Sequence, residues 1–134
     1  MDYILVLNGM YDVACAFSML WLDRLPGFNV LSSLHLAMFE KDEHKEHPVI
    51  RRLLAYWILT YGTVRIAAGL HRDAGLDVVG ALTFFIEAFC FEHELRFGGT
   101  MVRSRVTFVS VFSLALGIFI WCRPIAGLPD RTVS

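Results

Sequence analysis

Residues 55–69 read AYWILTYGTVRIAAG. Apart from Arg65, every side chain in this run suits the interior of a lipid bilayer, and its length decides the fold. Extended to 49–70 it becomes a helix of the size a bilayer core demands, about 20 mostly apolar residues rising 1.5 Å each. Pro48, just upstream, fits the first turn of a helix, where the missing N–H costs nothing. The arginine is the exception to be explained, because an unpaired charge at that depth costs at least a few kcal/mol.

Three further segments match this length and character, at 3–22, 76–95 and 106–122, with Pro124 closing the last and Asp77 placed to cap the third. The chain is therefore expected to be all-α, an integral membrane four-helix bundle forming one four-span domain over residues 1–134. Composition agrees: 56% of residues are hydrophobic and 19% charged, with a mean hydropathy of +0.54. The longest connection divides in two. LPGFNVLSSLHLAMF is apolar but broken by Pro26 and Gly27, and predicts a turn followed by a short interfacial helix in the first loop; EKDEHKEHP is a solvated charge run.

Lys and Arg number 12 against 13 Asp and Glu, with no basic tract, so nucleic acid is excluded as a partner. Asp2 stands where a signal or transit peptide would carry a cation, so the first apolar segment is expected to be retained. Loops one and three hold Arg24, Lys41, Lys45, Arg51, Arg52, Arg96, Arg103 and Arg105, whereas the opposite side holds Arg72, Arg123 and Arg131. Positive-inside bias then puts both termini on the lumenal or intermembrane-space side. Cys15, Cys90 and Cys122 lack metal or disulfide spacing and are expected to be buried thiols.

Residues three or four apart share a helix face, and each span carries one polar or small-residue stripe. The first has Asn8, Gly9, Asp12 and Ala16; the second Gly62, Arg65 and Gly69; the third Gly80, Thr83, Glu87 and Cys90; the fourth Ser110, Ser113 and Gly117. Such stripes face inward and let helices approach closely. Counted from the terminus side, Arg65 lies about 9 Å deep, Asp12 about 14 Å and Glu87 about 15 Å. An intramembrane polar cluster of Asn8, Asp12, Arg65 and Glu87 is therefore expected. It either fixes which helix faces which, or serves as a proton path or ligand anchor.

Chemistry is otherwise sparse. G-x-S-x-G, H-E-x-x-H and a phosphate-cradling glycine loop are all missing. Of His35, His44, His47, His71 and His93, the pair His44 and His47 lies in the charge run. His71 and His93 could ligate a pigment or metal, or simply mark helix ends; a resident metal is not expected. A sterol-isomerase-like bundle would need carboxylates and a basic group converging on an apolar pocket, a role open to Asp12, Glu87 and Arg65. The Gly, Ala and Ser of the stripes favour tight packing over such a cavity. The chain is thus expected not to be an enzyme. Trp57, Phe84, Phe85, Phe89, Phe91 and Trp121 are the candidates for contact with partner proteins or lipid.

Trp57 and Arg65 stand eight residues apart after Arg52, and the third span carries Thr83-Phe84, Phe89-x-x-Glu92, Phe97 and Thr100. In these features the stretch from Arg52 to Thr100 resembles the Erg28 family of small four-span membrane proteins, with Ala88 standing where that family usually has His. The resemblance implies a non-enzymatic endoplasmic-reticulum scaffold that gathers sterol C-4 demethylation enzymes. Its partners would be other integral membrane proteins and membrane lipids. The alternative is an accessory subunit of a respiratory or photosynthetic assembly, in the mitochondrial inner membrane or thylakoid, with bound lipid, chlorophyll or carotenoid.

Overall fold

The computed structural model describes residues 1–22, 29–39, 47–71 and 73–123. It is helical throughout, and four of its helices are long and apolar enough to cross a membrane: Tyr3–Trp21, Pro48–His71, Ala74–Gly98 and Arg103–Trp121. In chain order, α1 is Tyr3–Phe17, extended by a π-helical turn over Ser18–Leu22. The short α2 is Asn29–Leu36 and α3 is Pro48–His71. A second π-helical turn, Glu94–Gly98, follows α4, Ala74–His93, and α5 is Arg103–Trp121. Pro124, the charge run with His44 and His47, and the Pro26–Gly27 turn lie outside the described residues.

The helix starts follow from capping chemistry. Pro48 opens α3, where its ring imposes the φ a helix wants. Asp2 caps α1, its Oδ1 accepting from the N–H groups of Ile4 and Leu5 at 3.0 and 3.3 Å. Asp73, rather than Asp77, caps α4, accepting from Gly75 and Leu76. Asp77 lies a full turn inside that helix, so the expected cap falls one turn too late.

The helices pack in two pairs, α1 with α3 and α4 with α5, and α3 joins the pairs by packing on α4. The α1–α3 contact is close because Gly9 and Gly62 face each other. A Cβ at Gly62 would lie 2.8 Å from the Gly9 carbonyl oxygen, and one at Gly9 2.6 Å from that of Gly62. Only glycine permits this approach. One apolar layer, Leu5, Ala68, Ala81, Phe84 and Ile120, draws on all four long helices, and another, Ala16, Met19, Leu54, Ala55 and Ile58, lies between α1 with its π-helical extension and α3. The predicted stripes are buried at Gly9, Asp12, Ala16, Gly62, Arg65, Gly69, Gly80, Thr83, Ser110, Ser113 and Gly117.

The ring does not close evenly. On the side between α1 and α5, α5 is tied to the start of α1 at one end and to the segment after α2 at the other. At one end Arg123, after α5, forms an ion pair with Asp2. At the other, Val102 N–H donates to the Met38 carbonyl at 2.7 Å, beside a short antiparallel bridge of Phe39 with Met101, and Arg105 donates to the Ala37 carbonyl at 2.7 Å. Between these pins α2 partly covers the gap: the His35 ring at its end lies 5.8 Å from Tyr11, in the middle of α1. The cysteines differ from expectation, since Cys15 is buried, Cys90 half-buried and Cys122 exposed. Cys122 sits past the last turn of α5, where little packs over it.

Candidate functional site

Arg65 is the centre of the bundle, with its side chain 1% exposed. Its Nε donates to Thr83 Oγ1 at 3.0 Å, one terminal nitrogen to Asn8 Oδ1 at 2.9 Å and to Asp12 Oδ2 at 2.7 Å, and the other to Glu87 Oε2 at 2.6 Å. Residues from α1, α3 and α4 are thereby joined by one planar fork, a task for which a guanidinium, with five fixed donors, is better shaped than an ammonium. Ser113 of α5 adds a fourth helix by donating to Glu87 Oε2 at 3.1 Å. Beneath the fork lies Phe84, its ring centroid 3.7 Å from the guanidinium carbon, with Tyr61 5.4 Å away on another side. A desolvated cation over an aromatic face is stabilised by the ring quadrupole, by about 2 kcal/mol.

The four residues expected to form a polar cluster, Asn8, Asp12, Arg65 and Glu87, are thus in direct contact. Thr83, Phe84 and Ser113 complete it. Thr83 and Ser113 lay on the predicted stripes, whereas Phe84 was assigned to the outer surface.

That assignment needs correction. Phe84 is 1% and Phe91 3% exposed, so neither lies on the outer surface. Both lie on the stripe face of α4, Phe84 four residues after Gly80 and Phe91 four after Glu87, and that face is turned inward. Phe85 is half-buried, lying where a Cβ on Gly117 of α5 would meet it. Trp57 is half-buried too, 5.6 Å from the Phe91 ring. Phe89 and Trp121 remain outside, 68% and 55% exposed.

His93 is exposed and sandwiched in a ladder, 6.0 Å from Phe89 and 4.9 Å from Phe97. His71 is exposed at the last turn of α3. Among the described residues no three His, Cys, Asp or Glu side chains converge as a metal site would require.

A cavity of about 750 Å³ opens beside the cluster, in the gap between α1 and α5 under α2. Asn8, Asp12, Arg65, Glu87 and Ser113 form its floor. Its walls are mainly apolar, built by Leu34 and Met38 from the α2 side and by Phe108, Val109 and Phe112 from α5, with Tyr11, Ser33, Ser104 and Arg105 adding polar groups. The expectation of close packing in place of a cavity is therefore corrected. The small residues of α5 are spent on α4, where Gly117 receives Phe85, and they leave the α1 side open. His35 lines this cavity, and burial pushes its imidazole below the ordinary histidine value, opposed by the nearby Glu87 carboxylate.

Comparison of the chain with protein-family models, with curated proteins and with solved structures gives no match.

Proposed function

We propose that the chain is an integral membrane protein whose four long helices span the bilayer, and that it acts without chemistry of its own as a scaffold or accessory subunit that tethers other membrane proteins. The observation that carries this reading is the outer face of α4 and its π-helical extension, where Phe89, His93 and Phe97 stack in a continuous ladder. Phe97 is 78% exposed. Such aromatic rows are the side chains most enriched in the buried centres of protein interfaces. The bundle's own polar groups support the same reading, because Arg65 is occupied on three helices by Asn8, Asp12, Thr83 and Glu87 and serves to lock them.

Within this reading, loops one and three face the cytoplasm, matrix or stroma and the termini face the lumen or intermembrane space, as the cation count favours. The resemblance to the Erg28 family points to the endoplasmic reticulum and to sterol-synthesis enzymes as partners. A respiratory or photosynthetic assembly is the alternative host. Purification in gentle detergent, followed by mass spectrometry and an absorption spectrum, tests this. Co-purifying sterol oxidase or dehydrogenase supports the first host, and pigment or electron-transport subunits the second. A chain that purifies alone, and stays alone when Phe89 and Phe97 are intact, overturns the tethering role.

A second reading is favoured by the cavity: a sterol-isomerase-like enzyme, in which Asp12 and Glu87 face an apolar pocket beside Arg65. Lone purification together with isomerisation of a steroid olefin by the intact chain, lost in Glu87→Gln, would select it.

A further inference from the structure

Most of the exposed apolar surface is equally suited to lipid tails, and Cys122 and the helix ends hold nothing beyond their own contacts. The cavity between α1 and α5 is different, because its floor and its walls have opposite chemistry. From this geometry we infer that the cavity binds an uncharged membrane lipid alcohol, with the hydroxyl on the floor at Glu87 and the apolar body between α2 and α5.

The volume, about 750 Å³, lies in the range of roughly 300–1,000 Å³ that encloses a small ligand. Leu34, Phe108 and Phe112 are wall residues that are also 52%, 69% and 50% exposed, so the cavity opens on the outer face of the bundle. In a bilayer that opening is a door for a membrane-dissolved molecule. The Asp2–Arg123 pair ties the start of α1 to the end of α5 at one end of the cavity, and the Val102–Met38 bond ties the start of α5 to the segment after α2 at the other.

The floor selects the headgroup. Arg65 is the buried cation of the floor and is already answered by two carboxylates, so an anionic headgroup at the floor meets no unmatched positive charge; the other cation lining the cavity, Arg105, is exposed and donates to the Ala37 carbonyl. A cationic headgroup would have to shed its water beside a guanidinium. A hydroxyl loses far less on desolvation and needs one acceptor. Glu87 is the carboxylate within reach, its side chain 17% exposed against 7% for Asp12. Ser113, which donates to the same carboxylate, shows that a neutral hydroxyl is accommodated at this point.

This inference requires that the chain lie in a membrane, but it does not require tethering, and the test is made with the purified full chain in lipid nanodiscs with no partner present. Diazirine-bearing hexadecanol and diazirine-bearing palmitate are compared at mildly alkaline pH, where palmitate is ionised, and the labelled peptides are mapped by mass spectrometry. The expected result is labelling of α2 and of α5 around Phe108 and Phe112, stronger for the alcohol by about tenfold, the factor for one hydrogen bond to a charged group. Glu87→Leu should abolish that preference. Should Glu87→Leu fail to fold, Leu34→Trp decides, because it fills the mouth and leaves the cluster intact: labelling should fall about tenfold with no change in unfolding temperature. Equal labelling by both probes, labelling confined to the outward Leu114 and Ile118, or full labelling in Leu34→Trp overturns the inference.

Discussion

Replacing Arg65 with leucine should be the most damaging single change in this protein. The substitution removes bonds of 2.6–3.0 Å to Glu87, Asp12, Asn8 and Thr83 and the cation held over Phe84. The lost bonds matter less than what stays behind. Asp12 and Glu87 become two acids without a cation in a site shut off from water, and breaking a buried pair in this way costs about 3–5 kcal/mol. The lost cation–π contact adds about 2 kcal/mol. Partial neutralisation of the carboxylates offsets some of this, so a net loss of about 4 kcal/mol is expected. The assay is detergent-solubilised unfolding followed by tryptophan fluorescence, with size-exclusion chromatography as a check on dispersity. Arg65→Lys keeps the charge but not the fork, and should lose about half as much. The decisive comparison is the triple variant Asp12→Asn, Arg65→Leu, Glu87→Gln. If uncompensated charge is the main cost, the triple variant recovers most of the loss. A single variant as stable as the wild type, or a triple variant no better than the single one, would refute the reasoning.

Three further outcomes follow from the geometry. Gly62→Leu should separate α1 from α3 and pull Asp12 off Arg65, because a Cβ at that site already lies 3.0 Å from the Asp12 Cβ; a loss of about 3 kcal/mol or failure to assemble is expected, read by the same unfolding assay. Asp73→Ala removes the N-cap of α4 and should cost about 1 kcal/mol, whereas Asp73→Asn, which can still accept from Gly75 and Leu76, should cost a few tenths. Acidification should loosen α2. His35 faces Tyr11 of α1 and Glu87 of α4, and burial depresses its imidazole value in the fold, so the unfolded segment takes up the proton first. The stability it lends is complete above the ordinary histidine value and is lost as pH falls from there toward the depressed one. Hydrogen exchange across residues 29–39 should rise over that window in the wild type and stay flat in His35→Phe.

The cluster could be found in the sequence because rigid helices convert residue number into depth. Four polar residues on three apolar runs, at similar depths and on small-residue faces, have nowhere to go but toward one another. The same periodicity already contained the answer for the aromatics of α4. Gly80, Phe84, Glu87 and Phe91 recur at four, three and four residues, so Phe84 and Phe91 belong to the polar stripe, whereas Phe89, His93 and Phe97 recur every fourth residue on another face. Composition alone groups Phe84, Phe89 and Phe91 together as contact surface. The Asp2 to Arg123 pair was legible too: an acid at the start of the first apolar run and a cation at the end of the last fall on one side of a four-helix bundle.

What no reading of single helices supplies is which pairs pack tightly and which stay apart. Every stripe carries small residues, which favour close packing over a cavity. The structure spends them unequally. Gly9 meets Gly62 across α1 and α3, Gly80 of α4 packs on Ala68 of α3 and Leu5 of α1, and Gly117 of α5 receives Phe85 of α4. Among the described residues, the fourth face of the ring, between α1 and α5, is joined at one end by Asp2 with Arg123, and at the other α5 is joined to the segment after α2, by residues 37–39 with 101–105. Arg65 then explains why this gap stays polar at its base. Its fork ties α1, α3 and α4 directly, while α5 is held to the cluster through the Ser113 hydroxyl, which donates to the Glu87 carboxylate. Because α5 packs along α4 and reaches the cluster by a single hydroxyl bond, its side toward α1 is where an incoming molecule meets least resistance, so the charge that locks the other three helices also determines where the bundle can open.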